Sequence, residues 1–322
     1  MPDLKQQVLL SLKKNQGQFL SGEALAQACG VSRAAVWKAI RALTAEGCDI
    51  EAVTRLGYRL RAEADLLRTE EIRLRLTELG AQADVICFSA IDSTNTEARR
   101  RAQELSGPLL LAAEKQTAGR GRQGHSFYSP EGSGLYMTVA LPIRLPLPDA
   151  ALATQAMAVA ALNAVRDAGG PELGIKWVND LYYQGKKVAG ILTEAISDLE
   201  SGQTAVLLCG IGYNLTTSVF PEELAGKAGG IGRLNRNELA ARTAAGFLHL
   251  AAALPDTSLW MDKYRERSIV LGRGLSFTQD GVQYRAVAER IDERGSLVVR
   301  LADSSQRTLS SGEISILPDS LQ

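Results

Sequence analysis

Histidine and cysteine are scarce in this sequence. Of 322 residues only His125 and His249 are histidine, and the four cysteines, Cys29, Cys48, Cys87 and Cys209, stand far apart with no C-x-x-C pair. That spacing excludes a structural zinc site and a disulfide scaffold; reduced, buried thiols and no metal-ligand set are expected. Net charge is missing too, since 36 Lys plus Arg balance 36 Asp plus Glu. A polyanionic partner must then be met by a local patch rather than by the whole chain. No apolar run reaches the about eighteen residues of a membrane-spanning helix. The start, Met1-Pro2-Asp3-Leu4-Lys5, lacks an apolar signal core, so the cytoplasm is expected, with no membrane partner. Long repeats and low-complexity tracts are absent, which removes solenoids and disordered arrays.

What is present is ordinary globular composition, 45% apolar and 22% charged, on a chain long enough for two or three domains. Residues 1–63 read as a small helical unit. Leu4, Val8, Leu9 and Leu12 have helical spacing, Ser21 caps a second helix ending at Gly30, and Ser32 caps a third ending at Gly47. Two short helices across a Gly-Val-Ser turn form a helix-turn-helix pattern, and the alternation from Ile50 to Leu60 forms a two-stranded wing. Ser32, Arg33, Ala34, Trp37, Lys38 and Arg41 lie on or beside the outer face of the third helix and are the candidate DNA contacts. The competing reading is a helical bundle with a merely solvated face. Charge does not decide, because nine cationic side chains meet seven acidic ones through Asp65. Position does: the cations fall on the third helix and the wing, where phosphate and groove contacts belong.

Residues 64–269 mix strands and helices. Strands are expected at Val85–Phe88, Leu109–Ala113, Leu135–Leu141, Ile175–Trp177, Leu181–Tyr183, Val188–Ile196 and Ala205–Ile211. Helices are expected from Asn95 toward Leu105, over Ala150–Ala168 and over Glu238–Leu254. The tight turn Gln184-Gly185-Lys186 implies antiparallel pairing, hence α+β rather than a doubly wound sheet. Residues 270–322 switch to period two with turns at Asp280-Gly281 and Arg294-Gly295, as in a small β-barrel.

Chemistry concentrates in the central segment. Ala118-Gly119-Arg120-Gly121-Arg122-Gln123-Gly124-His125 alternates glycine with arginine after a buried strand. Glycine permits close backbone approach and arginine brings a planar donor fork for carboxylates and phosphates. Gly119-x-Gly121-x-x-Gly124 formally matches the dinucleotide fingerprint, but no helix opens at its end and no acid follows, so that reading fails. Ile91-Asp92-Ser93-Thr94-Asn95 is either a plain helix cap or a set of hydroxyls for a polar ligand head. In Lys176-Trp177-Val178-Asn179-Asp180, Trp177 is core or pocket wall, and Asn179-Asp180 a turn or a polar contact. Lys187, opening an apolar strand, is either an edge residue or an inward charge. In Gly210-Ile211-Gly212-Tyr213-Asn214 the glycines mark close approach to a ligand or a bulge.

Together these strings, with Ser32-Arg33-Ala34-Ala35, Lys187-x-Ala189-Gly190-Ile191-Leu192 and Ser311-Gly312-Glu313-Ile314-Ser315, resemble the bifunctional biotin protein ligases that are also biotin-operon repressors. The resemblance spans nearly the whole chain. It implies a winged helix-turn-helix domain, a biotin/lipoate ligase-like catalytic domain and an SH3-like C-terminal barrel. It implies that biotin and ATP, with Mg2+, give biotinyl-5′-AMP and pyrophosphate. The biotinyl group then passes to a lysine of a biotin carboxyl carrier protein. Lys187, Arg122 and Asp180 are thereby the catalytic candidates. Ser93, Thr94, Asn95, Gln116, Gly119, Arg120, Gly121, Arg122, Lys187, Gly190 and Asn214 are the candidates for holding biotin and nucleotide. Operator DNA and a ligand-dependent homodimer are the implied partners. Three positions depart from the family: Val178 where proline is common, Phe127 where tryptophan is usual, and Gly226–Gly232, which carries no aromatic to stack on adenine. Two other classes compete: a biotin-sensing DNA-binding regulator with weak or no ligase activity, and a lipoate ligase or transferase, which the helix-turn-helix and the Gly-Arg-Gly-Arg loop oppose.

Overall fold

The computed structural model describes residues 4–15, 17–45, 48–62, 66–198, 202 and 204–317. Its contacts divide the chain into two compact units, Met1–Leu66 and Leu67–Gln322. The expected boundary at 63/64 and the helix end at Gly47 fall outside the described residues.

In the first unit, α1 (Leu4–Lys14), α2 (Gly22–Cys29) and α3 (Arg33–Ala45) precede a hairpin of β1 (Asp49–Val53) and β2 (Gly57–Ala62). The spacing along α1 buries Val8, Leu9 and Leu12 with Leu25 of α2 and Val36, Ile40 and Leu43 of α3. Ser21 Oγ accepts from Ala24 N at 3.0 Å, and Ser32 Oγ from Ala35 N at 3.2 Å. Gly30, at φ 66°, closes α2 between those caps. The wing is tied back to the helices: Leu20 and Tyr58 exchange both backbone hydrogen bonds at 2.8 Å. Only glycine fits beside that pairing, since a Cβ on Gly57 would lie 2.1 Å from the Leu20 carbonyl oxygen. This is a winged helix-turn-helix, as the capping pattern predicts.

The second unit is built on a seven-stranded sheet. Its strands are β3 (Asp84–Phe88), β4 (Leu109–Ala113), β5 (Gly134–Leu145), β6 (Gly174–Lys176), β7 (Asp180–Tyr183), β8 (Lys186–Ser197) and β9 (Thr204–Asn214), in the order β3-β4-β5-β9-β8-β7-β6. Only β3 and β4 run parallel; every other pairing is antiparallel. The expected α+β architecture holds. Two helices escape the sequence reading: α4 (Thr69–Glu78), which buries only Ile72 and Leu76, and the six-residue α9 (Met261–Glu266). The helix expected over Ala150–Ala168 is α7 (Ala153–Asp167), preceded by a single helical turn, α6 (Leu147–Ala150). α7 packs with α8 (Arg236–Ala251) over one face of the sheet, and its alanines allow close approach: a Cβ on Gly246 would sit 3.4 Å from that of Ala160. α5 (Thr94–Arg101) covers the other face.

Strand periodicity sorts the central strands between these faces. On β4, Leu110 and Ala112 join the α7/α8 core while Leu109 and Leu111 join the α5 core. On β9, Leu207, Cys209, Ile211 and Tyr213 face α7/α8, and Val206 and Leu208 face α5. Next on the α5 side come Gly210 and Gly212, where large side chains give way to space.

The last strands, β10 (Gly274–Gln279), β11 (Val282–Ile291), β12 (Leu297–Leu301), β13 (Gln306–Leu309) and β14 (Ile314–Ile316), form a separate antiparallel sheet in the order β13-β12-β11-β10-β14. Its apolar residues Leu275, Ala288, Leu297 and Val299 belong to the same core as α7 and α8. This segment thus has a sheet of its own within the second compact unit. All four cysteines are free; Cys48 and Cys209 are buried as expected, whereas Cys29 and Cys87 are only partly so.

Candidate active site

The space beside Gly210 and Gly212 is shaped by what approaches them. A Cβ on Gly210 would lie 2.0 Å from Asn95 Oδ1, and one on Gly212 would lie 2.4 Å from the Phe127 ring. The chain's own Asn95 and Phe127, rather than a bulge, account for both glycines, since the strand register is unbroken there. Ser93, Thr94, Asn95, Gln116, Arg120, Phe127 and Gly190 line a small pocket there, of about 20 Å³. Its polar groups are locked in a network. Thr94 N donates to Gln116 Oε1 at 2.9 Å, and Gln116 Nε2 donates to Ser129 Oγ at 2.9 Å. Thr138 Oγ1 donates to Asn95 Oδ1 at 2.6 Å and lies 2.8 Å from Thr94 Oγ1. Ser93 caps α5, accepting from Thr96 N at 3.4 Å, and also lines the pocket.

Next to this pocket opens a cleft of about 1060 Å³, and Gln116, Arg120, Phe127 and Gly190 belong to both. The Gly/Arg loop forms one wall. Lys176, Trp177, Asn179, Asp180 and Lys187 form another, and Gly312–Ser315 a third. Gly119 is confined by the loop's own return, since a Cβ there would meet the Phe127 carbonyl oxygen at 2.4 Å. Lys187 Nζ sits 2.7 Å from Asp180 Oδ1. Arg122 Nη1 donates to Asn179 Oδ1 at 3.1 Å and to the Gly312 carbonyl at 3.3 Å. Asn179 is itself fixed, donating from Nδ2 to the Ile191 carbonyl at 2.9 Å. Lys176 also faces the cleft; burial pulls its ammonium below the usual lysine range, Asp180 opposes that shift, and Lys187 adds to it. Lys115, Arg120, Arg122, Lys176 and Lys187 all line the cleft, and with Arg122 and Lys187 oriented by their partners the site is preorganised for negative charge.

Of the expected residues, Gly119, Gly121, Arg122, Asp180 and Lys187 line the large cleft, Ser93, Thr94 and Asn95 the small pocket, and Gln116, Arg120 and Gly190 both. Asn214 lines neither. It is buried, its backbone carbonyl accepts from Ile231 N at 3.0 Å, and its Oδ1 has no partner among the described residues. Phe127, which the sequence marked only as a departure, packs its ring between Gly190 and Gly212. Glu194 was not singled out at all, yet it binds Asn95 and Arg120 together. The Trp177–Val178 peptide is cis, and Trp177 Nε1 donates to the Gly295 carbonyl at 2.9 Å.

The first unit carries a second candidate site. Ser32, Arg33, Ala34, Trp37, Lys38 and Arg41 are all exposed on or beside α3. Trp37 is 48% exposed, and the Arg41 guanidinium lies 4.9 Å from its ring centroid.

The first unit is a winged helix-turn-helix, and the second is an α+β fold whose cleft is lined by Arg120, Arg122, Lys176 and Lys187. Residues 87–214 match the biotin/lipoate A/B protein ligase family, residues 5–59 an HTH domain, and residues 270–317 the biotin protein ligase C terminal domain. The chain is 38% identical over 209 residues to the bifunctional ligase/repressor BirA of Bacillus subtilis, a match covering 64% of each protein. It is 31% identical over 322 residues to the protein of the same name in Escherichia coli, covering 96% of each. The solved biotin protein ligase from Aquifex aeolicus in complex with biotin and ATP shares the fold, with a TM-score of 0.56 and 23% identity over 72% of this chain and 98% of that one. The chain belongs to the family of bifunctional ligase/repressors.

Proposed function

We propose that this chain is a biotin protein ligase that also represses transcription in response to biotin. Lys187, held by Asp180 on the cleft wall, is the observation that carries the reading. In the first step the biotin carboxylate attacks the α-phosphorus of ATP and pyrophosphate leaves. Charge then grows on oxygens between carboxyl and phosphate, and Lys187 and Arg122 supply fixed positive charge there. In the second step the amine of a carrier-protein lysine attacks the acyl carbon and AMP leaves. The amine must shed a proton, and Asp180 is the carboxylate beside Lys187 that can receive it. The hydroxyl and amide groups of Ser93, Thr94, Asn95 and Gln116 suit the polar head of biotin, which must open their network to enter, since the pocket between them is only about 20 Å³.

Magnesium would accompany the nucleotide. Among the described residues no group of three His, Cys, Asp or Glu side chains could hold an ion, so the ion fits as a companion of the phosphates. No described helix is long and apolar enough to cross a membrane.

The deciding experiment adds biotin, MgATP and a carrier domain and follows intact mass. One biotin on the carrier, lost in Lys187→Ala, is the expected result. Adenylate without transfer would instead identify a sensing regulator. In the same mixture, sedimentation should show a dimer that forms only with biotin and ATP and binds operator DNA; a constant monomer with constant operator affinity would remove the repressor half.

A further inference from the structure

The wing and the third helix of the first unit each carry an arginine stacked on an aromatic ring, and the two stacks differ in what else they hold. On β2, the Arg59 guanidinium lies 4.5 Å from the centroid of the Phe19 ring, and its Nε donates to Glu51 Oε2 at 2.9 Å. The carboxylate takes up the fork, so Arg59 ties the wing together. On α3, the Arg41 guanidinium lies 4.9 Å from the centroid of the Trp37 ring, one turn earlier on the helix, and no carboxylate meets it among the described residues. A ring face attracts the charge without consuming the N–H groups, so the five donors of the Arg41 fork stay available. Trp37 is half exposed, whereas Trp177 and Trp260 are buried. Val36, Ala39, Ile40 and Leu43 of α3 turn into the core. Ala34, Trp37, Lys38 and Arg41 share the opposite, exposed face at i, i+3, i+4 and i+7.

We infer that Arg41 reads a guanine in the major groove of operator DNA, and that Trp37 is the positioning residue that holds its fork ready. The inference rests on the reading of the first unit as a DNA-binding module. Guanine presents O6 and N7 side by side on its major-groove edge, and a planar arginine fork meets both at once. Such a contact demands orientation. A free arginine side chain surrenders much of its rotamer freedom to make it, and one already lying on a ring has less to lose. Arg33 and Lys38 have no such platform among the described residues. They suit phosphates, which fix the register of the protein on the duplex and carry no sequence information. One face of α3 thus holds two kinds of cation, one oriented for a base edge and the others free for the backbone.

The test uses the full chain with biotin and MgATP. Wild type first selects binding sites from a pool of random duplexes. Each G·C pair of the selected site is then exchanged in turn, and affinities are read by fluorescence anisotropy. Arg41→Ala should bind the selected site about tenfold more weakly and lose its preference at a single G·C pair of each half-site. Its binding to an unrelated duplex should weaken far less. Trp37→Ala should relax the same base pair, and Trp37→Phe should restore the preference. The double variant Trp37→Ala/Arg41→Ala should be no weaker than Arg41→Ala alone, as expected where one residue acts through the other. Equal losses on the selected and the unrelated duplex would overturn the inference, because Arg41 would then be a phosphate contact. Relaxation of a different base pair in Trp37→Ala would overturn the positioning role, because the indole would then touch a base itself. A wild type that selects no sequence at all would sink the DNA-binding reading. A wild type that selects a site whose G·C pairs are indifferent to Arg41→Ala would sink this inference alone.

Discussion

The cations of α3 and those of the cleft are arranged in opposite ways. On α3, Arg33, Lys38 and Arg41 are exposed and make no ion pair among the described residues. In the cleft, Lys187 is paired with Asp180, Arg122 with Asn179, and Arg120 with Glu194. The difference follows from the ligand each suits. A DNA backbone is a long, regular polyanion, and mobile, hydrated side chains can find its phosphates and release its counterions. A reacting carboxyl and one phosphate offer a few oxygens in fixed places, so the protein must orient its charges beforehand. Free cations bring affinity in one unit, and held cations bring geometry in the other.

The largest effect should come from removing the support of a held cation. In Asp180→Ala, Lys187 keeps its charge but loses the 2.7 Å contact that orients it. Misplacement of a catalytic group by about 1 Å can cost about 100-fold, and a fall of that order in the rate of adenylate formation is expected in single-turnover assays. Biotin affinity should change far less. A loss below about threefold would show that Lys187 needs no fixed partner, and the contrast with α3 would collapse.

A smaller and differently shaped effect belongs to the free cations. Arg33→Ala with Lys38→Ala should weaken operator binding about tenfold and lower the slope of log affinity against log salt by about 2. Adenylation should be unaltered. A sequence-dependent loss with an unchanged salt slope would mean that these side chains read bases rather than phosphates, which would sharpen the comparison instead of breaking it.

How much of this was visible in the sequence depends on how local each signal is. Caps at Ser21 and Ser32, the apolar stripe of α3 and the two-face burial of β4 are written within a few residues, and these elements form as expected. α4 was missed because only Ile72 and Leu76 turn inward from an otherwise charged segment. Lys187 and Asp180 stand close in the chain and meet across neighbouring strands, with Asp180 paired to Gly190 in register. Glu194 had no such signal: its partners Asn95, Arg99 and Arg120 come from another helix and from the loop, and on β8 it looks like one more alternating polar residue. Period two was legible over residues 270–322, but not that this sheet would share a core with α7, whose Gln155 packs so closely on Gly295 that a Cβ there would lie 2.3 Å from its Nε2.

The smallest expected effect concerns acid. Glu194 has a folded pKa below its ordinary value of 4.5, so its contribution to stability is in place above that value. It disappears as pH falls through the folded one, because protonation then favours the unfolded chain. Wild type should therefore lose the support of the Arg120 and Arg99 ion pairs and some stability in that acid window, while Glu194→Gln, already without the charge, should show a flatter profile there. The gap between their melting temperatures, about 2 °C near neutrality if the ion pairs are worth about 1 kcal/mol, should close as pH drops. A constant gap down to full protonation would place the stabilisation in packing and hydrogen bonding rather than in charge. Arg120 would then be held by shape, not by the opposite charge that separates it from the cations of α3.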